Sequence, residues 1–209
     1  GQDTVGIRVP AHPLTRELIG ALDSGIAAPS ANRFGKVSPT TVEHVLADIG
    51  PLLGDGDAVL DGGPCSIGVE STIVDCTGTN PRLLRTGAIT ATMIEETTGL
   101  DVLGTDGSIR ASGTLASHYA PAATVLVCTA DDVPKIPGSG LIAMRDVETP
   151  GGMHRLLSAI DLGEYARGLY AALREADLQA LPTVIAALPP DEGLGSAIRD
   201  RLGRAAHRE

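Results

Sequence analysis

The chemistry-bearing side chains of this sequence are hydroxyls and arginines spread over short, separate stretches, with no nucleophile paired with a base. The densest stretch is Ala28-Pro-Ser-Ala-Asn-Arg-Phe-Gly-Lys-Val-Ser-Pro-Thr-Thr41, a small-residue loop with Ser30 near its start and Ser38 near its end. Pro29 would end the apolar run Gly25-Ile-Ala-Ala28 by removing a ladder donor. Ser38-Pro39 reads as an N-cap followed by proline at the first helical position. Unpaired N–H groups and the positive dipole end of that helix would face whatever the loop holds, which favours an anion such as phosphate. The same spacing also fits an ordinary strand–loop–helix connection.

Arg8 stands in an alternating run in which Val5, Ile7 and Val9 share one strand face while Thr4, Gly6 and Arg8 share the other. A threonine, a bare glycine and an arginine make a pocket floor, and the guanidinium suits bidentate capture of a carboxylate. A surface-facing strand arginine would look the same. Arg85 ends the short strand Arg82-Leu-Leu-Arg85 just before a helix, the place where open α/β sheets bind ligands; a solvated rim charge is the plainer reading. Val69 to Cys76 alternates with Val69, Ser71 and Ile73 on one face and Glu70, Thr72 and Val74 on the other, and the pattern does not choose which face is buried. His118-Tyr119 puts an imidazole and a phenol on a connecting segment that could close over phosphates, or could simply be packed by its aromatic ring.

These residues need elements to hold them. Pro13 to Leu22 carries Leu14, Leu18, Ile19 and Leu22 on one helical face, so a strand–helix–strand unit leads into the loop. Val42, Val45, Leu46 and Ile49 continue at helical spacing until Gly50. Ala58-Val-Leu60 reads as a short strand, and Thr92-x-x-Glu95 as the cap of a helix after Gly87. Leu100 to Arg110 loses periodicity and is rich in glycine, which marks a domain boundary, with a tether running to Pro121. Beyond it, Thr124 to Cys128, Leu141 to Met144 and Thr183 to Ala187 are apolar strands. They alternate with helices at Leu162 to Ala176, striped by Leu162, Ala166, Leu169, Tyr170 and Leu173, and at Leu194 to Ala206, striped by Ala197, Ile198 and Leu202. This predicts a small, doubly wound, Rossmann-like parallel sheet. The expected division is 1–99, a linker over 100–121, and 122–209.

Composition narrows the function classes. With 43% apolar and 20% charged residues the chain is globular, and with 2% aromatics its core must be aliphatic. A formal charge of −10 argues against a broad nucleic-acid footprint, which needs clustered Lys and Arg. The three cysteines, Cys65, Cys76 and Cys128, are odd in number and lack Cys-x-x-Cys spacing, which fits a reducing cytoplasm and no structural zinc. No segment has the length of a membrane span and the start does not read as a signal peptide.

Pro29-Ser-Ala-Asn32 followed by Gly35-x-x-Ser-Pro-Thr40 resembles the signature of the Sua5/YrdC/YciO family. Four more segments agree: Thr4 to Pro10, Gly62-Gly-Pro-Cys65 with Gly68-Val-Glu-Ser-Thr-Ile-Val-Asp75, Leu83-Leu-Arg-Thr-Gly87, and Gly113-Thr-Leu-Ala-Ser-His-Tyr-Ala-Pro121. The last resembles the linker of the longer Sua5 type. The resemblance implies a YrdC-like α/β catalytic domain, then a Sua5 domain, and synthesis of threonylcarbamoyl-AMP from L-threonine, bicarbonate or CO2, and ATP with Mg2+. That product feeds a downstream threonylcarbamoyl-transfer machinery for N6-threonylcarbamoyladenosine (t6A) in tRNA. It assigns Thr4, Ser30, Ser38 and Arg85 to ATP, Arg8, Ala28 and Ser71 to threonine, and His118 and Tyr119 to a linker lid, with no residue in covalent catalysis and no resident metal. Family members begin with further strands and helices, including a lysine and an arginine for the ATP phosphates. This sequence is therefore expected to match the later part of the catalytic domain. It departs at Ala111-Ser112-Gly113, where serine replaces the family's usual proline and loosens the tether. Two rival readings are a carbamoyl-transfer module like that of hydrogenase maturation proteins, which share the YrdC fold, and a non-catalytic binding or regulatory protein.

Overall fold

The computed structural model describes residues 3–105, 111–113 and 119–207. The first hundred residues are sparsely built. Helix α1 (Pro13–Leu22) forms where the apolar spacing predicts it, with proline in its first turn, yet it buries no residue. Residues 4–9 form no strand, and Val5, Ile7 and Val9 are 80%, 83% and 91% exposed. The expected strands at Gly25 to Ala28 and Ala58 to Leu60 likewise form no regular element. An alternating pattern supplies an apolar face, but a strand also needs a neighbour to accept its ladder hydrogen bonds, and none is paired with these segments among the described residues.

Helix α2 (Val42–Ile49) starts three residues later than expected, capped by Thr41, whose side chain accepts from the His44 N–H. The Ser38 hydroxyl is engaged elsewhere and leaves the cap to Thr41. Gly50 ends the helix and leads into a single 3₁₀ turn, Gly50–Leu52. Strands β1 (Ile73–Asp75) and β2 (Arg82–Arg85) pair antiparallel with Ile73 opposite Arg85, so only the end of the expected 69–76 run is strand. Helix α3 (Ala91–Thr98) is capped by Thr90, not by Thr92, and Gly99 closes it in the left-handed region. Glu95, expected in a capping box, instead accepts from the Val102 N–H at 3.0 Å.

The C-terminal half holds a packed parallel sheet. Its strands are β3 (Thr124–Cys128), β4 (Gly140–Met144), β5 (His154–Ala159) and β6 (Thr183–Ala187), ordered β3-β6-β4-β5. The strand β5 escapes sequence reading because Arg155 and Ser158 interrupt its apolar run. Helices α4 (Leu162–Leu178) and α5 (Leu194–Ala206) bury their predicted stripes, Ala166, Leu169, Tyr170 and Leu173 on one, with Leu162 only half-buried, and Ala197, Ile198 and Leu202 on the other. Both pack with Val125, Ile142, Val184 and Ala186 into one core, so they share one face of the sheet. The opposite face, with Leu141, Ala143, Ile185 and Ala187, is covered by loop residues such as Val133, Ile136 and Met153. The sheet is parallel α/β as expected, but its helices do not wind over both faces. Among the described residues no helix is long and apolar enough to cross a membrane.

The two halves are joined through α4. Val37 from the central loop is 3% exposed and lies in the same core as Leu169, Tyr170 and Leu173. Arg174, one turn after Tyr170, donates from Nη2 to the Asp48 carboxylate at 2.6 Å and from Nε to the Ser38 carbonyl at 3.3 Å. Gly68 allows the chain to lie directly on α4: its φ is +90°, and a Cβ there would stand 2.2 Å from the Ala166 carbonyl oxygen.

Candidate functional site

The residues singled out from sequence divide into two groups. Thr4, Arg8, Ala28 and Ser30 all lie on exposed chain without regular secondary structure in the first thirty residues. Ser38, Ser71, Arg85 and Tyr119 come together where the two halves meet. His118 lies outside the described residues.

Arg85 is 7% exposed at the end of β2. Its Nε donates to the Ser71 carbonyl at 3.0 Å and its Nη2 to the Ser71 hydroxyl at 3.4 Å, so the cross-strand neighbourhood of β1 and β2 fixes one edge of the guanidinium. Nη1 donates to the Ser112 carbonyl at 2.7 Å. The linker thereby rests on Arg85. Gly113 follows with φ +75°, and a Cβ on it would stand 2.2 Å from the Tyr119 hydroxyl and 3.0 Å from Arg85 Nη1. Only glycine leaves room for the linker to pass between phenol and guanidinium. Burial pulls the Arg85 pKa down, and burial likewise pushes the Tyr119 phenol up.

Tyr119 is 1% exposed and stands in the left-handed region with φ 64°. Its ring lies 5.5 Å from that of Tyr170, and the Arg201 guanidinium carbon sits 5.7 Å from its centroid. The next residue, Ala120, donates its N–H to the Gly35 carbonyl at 3.2 Å, which ties the linker to the central loop. Among the described residues, Ser112 is thus tied to Arg85 and Ala120 to Gly35.

The centre of the junction is Glu70, which sequence reading passed over. Its Oε1 accepts the Ser38 hydroxyl at 2.7 Å, while Oε2 accepts the Tyr170 hydroxyl at 2.8 Å and Arg201 Nε at 2.8 Å. Arg201 also donates to the Thr86 carbonyl at 2.9 Å and to Asp200 at 2.6 Å. Burial pushes the Glu70 carboxyl up, but the hydrogen bonds from Arg201 and Ser38 outweigh it and hold the group below the usual carboxylate range. The Arg201 pKa is raised: burial opposes the charge, and the bond to Glu70 more than restores it. Tyr170 stays a phenol, since burial and the adjacent carboxylate push it well above its ordinary value. One signal could have found this cluster. Ala197, Arg201 and Ala205 fall at four-residue spacing on the buried face of α5, and an arginine on an apolar stripe requires a carboxylate from elsewhere.

Beside the loop, Thr40 is 7% exposed; its N–H and hydroxyl both approach His44 Nδ1, at 3.2 and 3.3 Å. Burial and the charge of Arg174 lower the His44 pKa, so the ring is neutral with Nδ1 accepting the Thr40 N–H. The junction thus gathers hydroxyls, the Glu70 carboxylate and the two buried guanidinium ions of Arg85 and Arg201.

An α/β chain whose two halves meet at a buried junction of hydroxyls, arginines and one carboxylate defines a two-part α/β protein. Residues 1–87 match a family described as "Telomere recombination", Sua5_yciO_yrdC, and residues 89–207 match "Threonylcarbamoyl-AMP synthase, C-terminal domain". The chain belongs to the Sua5/YrdC/YciO family. It is 37% identical over 225 residues to the threonylcarbamoyl-AMP synthase of Bacillus subtilis and 36% identical over 223 residues to that of Pyrococcus abyssi, covering 99% of this chain in each case. The crystal structure of P. abyssi Sua5 complexed with L-threonine superposes with a TM-score of 0.84 at 31% identity, over 99% of this chain and 65% of that one. The chain spans 64% and 65% of the length of these two curated relatives.

Proposed function

We propose that this chain belongs to a threonylcarbamoyl-AMP synthase, a nucleotidyltransferase that joins L-threonine, bicarbonate or CO2, and ATP into threonylcarbamoyl-AMP and pyrophosphate. The observation that carries this reading is the convergence of Ser38, Ser71, Arg85 and the linker residue Tyr119 on one buried junction. Relatives named for the same activity support it. The threonine amine captures CO2 as a carbamate, and a carbamate oxygen attacks the α-phosphate of ATP, supplied as its Mg2+ complex. The new P–O bond forms as the bond to pyrophosphate breaks. Such a reaction asks the protein for alignment and for stabilisation of spreading negative charge, which hydroxyls, amides and arginines provide without a covalent intermediate.

In this reading Thr4, Ser30, Ser38 and Arg85 hold the nucleotide, and Arg8, Ala28 and Ser71 hold threonine. His118 and Tyr119 form the lid between a catalytic part at 1–99 and a C-terminal domain at 122–209, with the linker over 100–121. The product would pass in the cytoplasm to the threonylcarbamoyl-transfer machinery that builds t6A on tRNA. A hydrogenase-maturation module and a non-catalytic regulator have no observation in their favour. The test is pyrophosphate release by the full-length protein in the presence of ATP, Mg2+, bicarbonate and threonine, with threonylcarbamoyl-AMP identified by mass. Arg8→Ala is expected to weaken threonine binding at least about tenfold by removing a charge-assisted bidentate contact. Unchanged threonine affinity by calorimetry would remove Arg8 from the pocket.

A further inference from the structure

We propose that Tyr170 and Arg201, on the two helices of the C-terminal unit, are positioning residues for the hydroxyl of Ser38 and act on it through the Glu70 carboxylate. The proposal rests on the nucleotide-binding role read for Ser38 above.

Ser38 has one hydroxyl proton, and it is donated to Glu70 Oε1 at 2.7 Å. That bond fixes the rotamer and leaves the oxygen lone pairs free to receive a donor or cation of the ligand complex. A carboxylate can hold a hydroxyl in this way only if it is itself immobile. Glu70 is immobilised from the other side, with Oε2 receiving Tyr170 and Arg201 at 2.8 Å each. Neither donor can swing away. The Arg201 side chain is fully buried, and its Nη2 is fixed on the Thr86 carbonyl. Tyr170 is 1% exposed and lies against the Tyr119 ring. The same helix α4 holds the backbone on either side of the Ser38 side chain, since Arg174 donates to the carbonyls of Val37 and Ser38. The C-terminal unit thus fixes both the backbone and the hydroxyl of this loop position.

Charge gives a second reason. A bare carboxylate beside a site for a polyanionic nucleotide would repel it, and Arg201 supplies the compensating positive charge at hydrogen-bond distance. Removing Arg201 therefore both frees Ser38 and exposes the ligand to an uncompensated negative charge. A latch that merely joined the halves would have neither consequence.

The test is Arg201→Met in the full-length protein, with steady-state kinetics in ATP and in threonine. The KM for ATP should rise at least about fivefold while the KM for threonine stays within about twofold, as expected for loss of an interaction on one substrate only. Tyr170→Phe keeps the ring packing and removes one hydrogen bond. It should raise the ATP KM by about two- to threefold, and it decides the matter if Arg201→Met does not fold. In a Ser38→Ala background the Tyr170→Phe increase should vanish, because the group being positioned is gone, and the Arg201→Met increase should shrink to the part due to the uncompensated Glu70 charge. Increases that persist undiminished in that background overturn the proposal. So do losses in kcat and both KM values that follow a lowered Tm. If Ser38→Ala alone leaves the ATP KM unmoved, the nucleotide reading of the loop fails, and the positioning role falls with it.

Discussion

Residues 4–9 and residues 140–144 both carry aliphatic side chains suited to a strand, yet Val5, Ile7 and Val9 are 80–91% exposed while Leu141, Ile142 and Ala143 are wholly buried. The difference is neighbours. β4 lies between β5 and β6 in the sheet and has α4 against one face, whereas residues 4–9 pair with no strand among the described residues. Amphipathic pattern makes burial possible, and partners in space decide whether it happens. The first hundred residues contact the C-terminal half at Val37, Asp48, Gly68 and Glu70.

The largest effect expected from this contrast is that of Leu169→Ala, which empties a fully buried position in the C-terminal core and should cost about 2–5 kcal/mol. Ile7→Ala at an 83%-exposed position should stay within about 0.5 kcal/mol. Urea unfolding of both variants measures the contrast, and equal losses would break it. Next comes Arg174→Met, which leaves Asp48 without its partner in a pair whose side chains are 13% and 17% exposed. A loss of about 2–3 kcal/mol follows for a pair that is largely but not wholly buried, read as faster hydrogen exchange over 37–49 with the β4 and β6 amides unchanged. Gly68→Ala forces a Cβ into the Ala166 carbonyl at φ +90° and should cost about 1–3 kcal/mol, localised to the junction. Limited proteolysis that cut the first hundred residues no faster than in the unmodified protein would contradict it.

The smallest effect is that of acid. The Glu70 and His44 pKa values are both depressed by folding, so the stability they contribute is present at neutral pH and lost as pH falls. His44 should begin to charge below its ordinary value of about 6.5 and Glu70 to protonate below about 4.3, so the junction weakens in two stages. Tm against pH for the unmodified protein and for Glu70→Gln checks this. The acid stage below the carboxylate range should disappear in the variant.

Much of the candidate site was legible because local chemistry names it. Ser38 in the hydroxyl-rich loop and the strand-end arginine Arg85 are legible from residue type and from where elements begin and end, Ser71 only from the family resemblance, and all three meet at the junction. Glu70 was not found, because a carboxylate in a short alternating run looks the same whether it faces solvent or a buried arginine 131 residues away. His118 was singled out but lies outside the described residues.

The sequence by itself determined the helices α4 and α5, the strands β3, β4 and β6, and the family signature, since each rests on spacing within a few residues. Tertiary structure alone decided that residues 4–9 stay open, that Thr41 rather than Ser38 caps α2, and that α4 and α5 share one face of the sheet. It also decided that a tyrosine and an arginine from the far end of the chain converge on Glu70. The physical reason is common to all four: hydrogen-bond donors and apolar faces are fixed locally, but their partners are set by which distant segments come within reach.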